Sequence, residues 1–455
     1  MEMVLEFLRD VLSQPALLIG IMSCIGLIAL KRPFHKIMTG TLKPILGYLM
    51  LAAGAGVIVS NLDPLGKMIE HGFHITGVVP NNEAIVAVAQ KVLGVETMSI
   101  LVVGLLMNLC IARFTKFKYV FLTGHHSLFM ACLMSAVLGT AGLSGMELIL
   151  VGGFLMGAWS AISPAIGQSY TSKVTDGDEI AIGHFGSLGY YLSAWVAKYV
   201  GKAEDSTEDI EIPEKWGFLR DSTLSTALTM IVFYLIAAFA AGSEFVATLS
   251  GDMSPYLYAV ISAMNFAVGV TIVYSGVRMI LGDLIPAFQG IATKIIPNAI
   301  PAVDCAVFFT YAPTAVVLGF LSSFIGGIIG MLILGAVGGV LIIPGLVPHF
   351  FCGATAGIYG NATGGRRGAA VGAFLNGLAI TFLPALALPV LGQLGFQNTT
   401  FGDADFAVMG LVLGNAYEWV GMAGIYGIVA IAALVLIIPN FIKTKGKVIN
   451  YVEED

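Results

Sequence analysis

Charge is what this chain has least of. Only 11% of its 455 residues are Asp, Glu, Lys or Arg, against roughly 25% in an average soluble domain. Hydrophobic residues make up 57%, and the mean hydropathy is +0.90. That much apolar surface cannot be hidden in one soluble core, so the sequence reads as an all-α polytopic membrane protein. The few charges sum to −6, and no Lys/Arg-rich run offers a footprint for a phosphate backbone, which sets nucleic acid aside as a partner. Cysteine is also scarce. Cys24, Cys110, Cys132, Cys305 and Cys352 show neither metal-ligand nor redox spacing and are expected to be buried small hydrophobes; no metal or cofactor is called for. Absent too are GxxxxGK[ST], HExxH and GxSxG, which argues against a self-contained ATPase, zinc protease or serine hydrolase. A cleavable signal peptide is not evident. The acidic stretch with Glu2, Glu6, Arg9 and Asp10 precedes a first apolar run expected to stay as an anchor.

What is abundant is glycine, 56 residues, and apolar sequence in lengths that suit a bilayer. With about 20 residues needed per crossing, spans are expected near 15–30, 42–61, 95–113, 119–140, 145–164, 222–242, 255–275, 278–300, 323–344, 367–391 and 408–440, about eleven in all. Two further stretches, 76–93 and 304–322, are apolar but short and begin with proline and small polar residues. They are expected to be re-entrant or broken helices, starting at Asn81/Asn82 and at Thr314, whose free N–H groups would face a cavity. A faint echo of Gly40-Thr41-Leu42-Lys43-Pro44-Ile45-Leu46-Gly47 in Gly276-Val277-Arg278-Met279-Ile280-Leu281-Gly282 is what a two-repeat unit would leave, or what chance would leave in Gly- and Leu-rich sequence. The chain is read as one integral-membrane unit with halves near 15–165 and 255–440. A cytoplasmic loop, 165–221, and a span near 222–242 join them, and no soluble domain is fused. Lys31, Arg32, Lys36, Lys43, Arg113, Lys116, Lys118, Lys443, Lys445 and Lys447 mark cytoplasmic segments. They place the amino terminus outside and the carboxyl terminus inside.

Ionisable residues at membrane depth are costly and therefore the first places to look for a pathway. His125 follows Thr123-Gly124 at the head of an apolar run and suits an anionic or polyhydroxy ligand; His126, one helical position on, is expected to point elsewhere. His184 closes Asp176-Gly177-Asp178-Glu179-Ile180-Ala181-Ile182-Gly183-His184. It is either a second site residue or a harmless member of an amphipathic surface helix. Asp304, between Pro301-Ala302-Val303 and Cys305-Ala306-Val307, needs a partner, a ligand or a proton. It could accept a substrate proton, or form a structural ion pair with Lys294 or Arg278.

Three motifs carry a family resemblance. Leu122 to His126, Thr175 to His184 and Ala302 to Phe320, together with Gly276 to Pro286 and Ile342-Ile343-Pro344-Gly345, resemble in order the ascorbate-specific enzyme IIC of the bacterial phosphoenolpyruvate-dependent phosphotransferase system (PTS). The resemblance implies a bacterial inner-membrane permease for L-ascorbate or a related sugar acid or polyol. It would be a homodimer of eleven-span protomers, each with a core transport domain moving rigidly against a V-shaped dimerisation domain. It also implies phosphorylation of the sugar by a phosphocysteine on a separate enzyme IIB, with IIA upstream, so none of this chain's cysteines is that nucleophile. Carried over position by position, the substrate contacts fall on Asn82, Glu83, His125, Phe129, His184, Phe185 and Asp304, with Asp304 as hydroxyl orienter or general base. The family pattern has Thr-Tyr at Asn82-Glu83 and glutamine at Phe129 and Phe185, so amides are exchanged for aromatic surface. Two other classes remain open on the residues alone. One is an ion- or proton-coupled secondary transporter using Asp304 and Glu83; the other is a membrane sensor or scaffold that binds without moving its ligand.

Overall fold

The computed structural model describes residue 11 and residues 14–74, 77–80, 82–177, 180–210, 222–392 and 399–441. The acidic N-terminal stretch, Asn81, Asp178, Glu179 and the lysines at 443, 445 and 447 lie outside the described residues. In chain order come α1 (Pro15–Ala29), α2 (Phe34–Phe73), β1 (Val79–Pro80), α3 (Asn82–Phe114), β2 (Tyr119–Phe121), α4 (Gly124–Thr140), α5 (Gly145–Val174), β3 (Ala181–Ile182) and α6 (Ser187–Val200). Then follow α7 (Ser222–Ala241), α8 (Ser243–Ser250), α9 (Pro255–Lys294), β4 (Ile300–Val303), a 3-10 turn (Cys305–Thr310), α10 (Pro313–Ala336), α11 (Leu346–Gly392), β5 (Thr399–Thr400), α12 (Ala404–Val420) and α13 (Met422–Phe441).

Among the described residues seven helices are long and apolar enough to cross a membrane, or eight if α7 and α8, bent by 117°, form one span. The expected count of about eleven differs at identifiable places. The runs 255–275 and 278–300 belong to one 40-residue helix, α9, which carries Pro286 without ending. The segments read as short helices at 76–93 and 304–322 are instead the beginnings of long ones, α3 with 33 residues and α10 with 24. A hydropathy window cannot see that an apolar helix continues through a glycine or proline whose freed backbone groups its neighbours satisfy. The run 119–140 is a strand followed by a 17-residue helix. The stretch 165–221, read as a loop, contains the end of α5 and all of α6. Cys132, Cys305 and Cys352 are buried as expected, but Cys24 is half-buried and Cys110 exposed.

The helices associate in two groups. One comprises α1, α2, α7, α8 and α9; the other comprises α3–α6 and α10–α13, with α11 packed along both α10 and α6. Within the first group α2 and α9 run together through two glycine pairs. A Cβ on Gly47 would lie 2.9 Å from the carbonyl oxygen of Gly276, and one on Gly54 would lie 2.8 Å from that of Gly269. Without Cβ atoms the backbones approach closely, which is how membrane helices gain packing where lipid is as apolar as the side chains. Gly47, which ends the first copy of the sequence echo, and Gly276, which begins the second, are therefore partners across one interface.

The second group holds short strands. Three run parallel in the order β2-β4-β3, with Phe121 opposite Ala302 and Ile182 opposite Val303. Unwound backbone inside an apolar medium must pair with something. Here Leu122 N–H donates to Ala302 O at 2.9 Å and Gly183 N–H to Val303 O at 2.7 Å, extending the ladder one residue beyond each outer strand. Gly183 has no substitute, since a Cβ there would sit 2.4 Å from Ala302 O.

Gly47→Leu or Gly276→Leu drives a side chain into backbone atoms and is expected to cost about 1–3 kcal/mol. Gly56→Ala, at a position with nothing within 4 Å, is expected to stay within about 0.5 kcal/mol of the parent. Thermal unfolding of the purified protein in detergent checks both.

Candidate functional site

Because β2 and β3 flank β4 in parallel, the chain leaves all three strands at the same end. Thr123-Gly124-His125-His126, Gly183-His184 and Asp304 therefore emerge side by side. Asp304 is 8% exposed and caps the 3-10 turn, its Oδ1 accepting from Ala306 N–H at 3.1 Å. Its Oδ2 lies 3.4 Å from Nε2 of His125, so the partner is an imidazole rather than Lys294 or Arg278. Nδ1 of His125 is 3.4 Å from the hydroxyl of Tyr48 on α2, which brings the first helix group to the site.

His126 does not point elsewhere. Its ring lies against that of His184, centroids 3.8 Å apart, and both border the same cavity as His125. Two consecutive backbone amides fix these rings: Phe185 N–H donates to Nδ1 of His126 at 3.3 Å, and Gly186 N–H to Nδ1 of His184 at 3.1 Å. The hydroxyl of Tyr190 also reaches Nδ1 of His184, at 2.8 Å. An Nδ1 that accepts from a backbone N–H carries no proton, so each neutral ring holds its proton on Nε2 and offers a donor there. The groupings His126/His184/Asp403 and His184/Asp304/Cys305 have atoms within 4.8 Å of one another, a spacing that would suit a metal ion. Protonated Nε2 atoms have no lone pair to give, so the imidazole pair is built for hydrogen bonds to oxygen rather than for ligation.

The cavity is about 1250 Å³. Asn82, His125, Phe129, His184 and Asp304 line it, joined by Tyr48, His126, Cys305 and Asp403. Phe129 stands edge-on to His125, centroids 5.8 Å apart. Phe185 is among the expected contacts, but its side chain is fully buried away from the cavity, stacked on Phe121 at 4.6 Å. What Phe185 supplies is its backbone N–H. Glu83 lies in the first turn of α3, and its side chain is outside the described residues. Nor does the start of α10 face the cavity, because Thr314 and Ala315 N–H donate to the carboxyl group of Glu208 at 3.1 Å. Along α2 the lining continues through Asp63, Gly66, Lys67 and Glu70 to Phe73.

Two carboxyl groups stand out that the sequence reading passed over. Asp403 accepts from Asn82 Nδ2 at 2.6 Å and from the Cys352 thiol at 2.9 Å. Asp405, fully buried, accepts from Ser187 Oγ at 2.8 Å, Leu188 N–H at 2.9 Å and Trp159 Nε1 at 3.3 Å, which caps α6. Its own N–H donates to Phe185 O at 2.9 Å, so it also anchors the turn that holds His126 and His184. Both stand at a helix start, where acidic residues are ordinary, and the sequence offered no signal to separate them from simple caps.

Apolar helices long enough to cross a bilayer surround this chamber, as in an integral-membrane protein. The chain belongs to the family described as the PTS system sugar-specific permease component, whose pattern matches residues 10–405. It is similar to the ascorbate-specific PTS system EIIC component of Mycoplasma pneumoniae, at 28% identity over 417 residues covering 78% of this chain and 62% of that protein. The chain thus spans about three-fifths of that relative's length.

Asp405→Ala removes a helix cap and strands buried donors. It is expected to destabilise the protein by roughly 2 kcal/mol; a thermal unfolding midpoint equal to the parent's would show that the anchor is dispensable.

Proposed function

We propose that this chain is an ascorbate-type enzyme IIC. It would bind L-ascorbate or a closely related sugar acid or polyol at the imidazole–carboxyl floor, carry it inward, and present a hydroxyl to a phosphocysteine on a separate enzyme IIB served by IIA. The convergence of His125, His126, His184 and Asp304 at one end of a three-stranded sheet, facing one cavity, carries this reading. Nε2–H of His126 and His184 would donate to ring or enolic oxygens. His125, whose two nitrogens face Tyr48 and Asp304 at 3.4 Å, would turn one of them to a further oxygen as the ligand displaces that partner. Asp304 has one oxygen committed to the 3-10 turn and one turned to His125. A substrate hydroxyl donating to that second oxygen would be oriented for phosphoryl transfer, its proton passing to Asp304 as the O–P bond forms and the S–P bond breaks, with the IIB cysteine leaving as a thiolate.

The remaining elements of the reading follow from placement. The cavity runs along α2 from Tyr48 to Phe73, away from the Lys36 and Lys43 end. With those lysines cytoplasmic, it opens outward, with the amino terminus outside and the carboxyl terminus inside. Two helix groups meeting across the cavity suit a core that moves against a dimerisation scaffold within a homodimer in the bacterial inner membrane.

Asp304→Asn retains a side chain that can cap the 3-10 turn but gives up the carboxyl group. It is expected to abolish phosphorylation-coupled ascorbate uptake while the protein stays folded by gel filtration; unchanged uptake would remove Asp304 from the mechanism. Membrane vesicles without phosphoenolpyruvate and the partner proteins are expected to show no accumulation. Accumulation driven by an ion gradient alone would favour a secondary transporter instead.

A further inference from the structure

We propose that Asp403 is a second substrate-contacting residue, accepting a hydrogen bond from a hydroxyl of the bound sugar, and that Asn82 is the residue that positions it. The proposal rests on the permease reading above and adds a contact to the floor already described.

Asp403 occupies the N-cap position of α12 with extended backbone, φ −113° and ψ 142°, where an aspartate ordinarily folds back onto its own helix. Its side chain makes no capping bond there. The carboxyl group is turned to the cavity wall instead, 5% exposed, with Asn82 on Oδ2 and Cys352 on Oδ1. Thr123 and Ser144 also leave their helices uncapped, so what distinguishes Asp403 is that its free carboxyl group is held on the cavity wall by Asn82 and Cys352.

The amide of Asn82 is spent on this arrangement. Its Nδ2 donates to Asp403 Oδ2 at 2.6 Å, and its Oδ1 accepts from Gly402 N–H at 2.9 Å, so both ends of the amide grip the Gly402–Asp403 peptide. Little remains of Asn82 for a ligand; the contact passes from it to the carboxyl group it holds.

Each oxygen of Asp403 has one protein donor and room for another. Oδ1 lies 3.9 Å from Nδ1 of His184, too far for a hydrogen bond, and that nitrogen is already served by Gly186. Among the described lining residues Lys67 is the one with a permanent positive charge, and it lies on α2. A carboxylate or enolate of the substrate would be repelled at Asp403, whereas a hydroxyl would be welcome. The floor therefore reads as donors at Nε2 of His126 and His184, flanked by two carboxyl acceptors, Asp304 and Asp403. It selects a compact molecule with an electron-rich oxygen at its centre and free hydroxyls to either side.

The test uses purified full-length protein and radiolabelled L-ascorbate, with the two analogues that each lack one side-chain hydroxyl. Asp403→Asn is expected to weaken ascorbate binding at least ten-fold, while one of the analogues binds parent and variant with affinities within two-fold. Asn82→Ala, which leaves the carboxyl group but frees it, is expected to weaken ascorbate binding several-fold with the same analogue dependence. It serves as the test should Asp403→Asn fail to fold. Parental affinity in both variants, or a loss equal for ascorbate and both analogues, overturns the role of Asp403 and leaves the permease reading intact. Failure of the parent protein to bind ascorbate or either analogue overturns both.

Discussion

Backbone that leaves a helix inside an apolar medium has to find hydrogen-bond partners, and this requirement organises the protein. Three separate stretches unwind before their helices begin, and the first two pair in parallel with the two sides of the third. The pairing fixes which residues come next to each other. His125, His184 and Asp304 are up to 179 positions apart in the chain, yet each follows a strand of one sheet by only a few residues. Their convergence is a consequence of register, and a one-residue slip would rotate the emerging side chains away from one another. The obligation to pair buried amides thus creates the site.

The same economy fixes the chemistry. Phe185 and Gly186 lie in the turn between β3 and α6, and their amides would be unpaired donors in a dry interior. Giving them to the Nδ1 atoms of two histidines satisfies the backbone and sets both tautomers at once. Asp405 closes the arrangement from outside by capping α6 and holding the carbonyl of Phe185. Position 185 is therefore occupied for its backbone. An aromatic ring in the core beside Phe121 serves that purpose as well as an amide would, which explains how this departure from the resembled pattern is accommodated. At Phe129 the exchange is different, because its ring does border the cavity and gives it an apolar wall.

Much of this was legible in the sequence, and the limits have physical causes. Composition alone gave the membrane class, since 11% charge leaves no other home for so many apolar residues. The polar islands at His125, His184 and Asp304 were visible because burying ionisable groups is expensive. Helix boundaries were not, because apolar windows merge or divide helices without regard to where backbone bonds continue; α9 and α10 were divided, and α12 and α13 were merged in the run 408–440. The strands escaped notice because two or three residues are too few for a periodic pattern. His126 was discounted because successive helical positions point about 100° apart, but in the first turn of α4, where the helix leaves the sheet, both imidazoles border one chamber. Asp403 and Asp405 were hidden by their ordinariness, as acids at a helix start.

The glycine pairs fix how α2 and α9 run together. Gly47 meets Gly276 and Gly54 meets Gly269, each pair separated from the next by seven residues along its helix. The residue numbers within each pair rise in one helix as they fall in the other, so α2 and α9 are antiparallel. Small residues at both crossings let the two backbones approach closely along about two turns of each helix. Tyr48 is the next residue after Gly47, and it reaches His125. One close crossing in the first helix group is thus one residue from its contact with the imidazole cluster. Movement between the two helix groups would therefore have to break or carry the Tyr48–His125 contact, while the glycine-paired helices behind Tyr48 stay together as a unit.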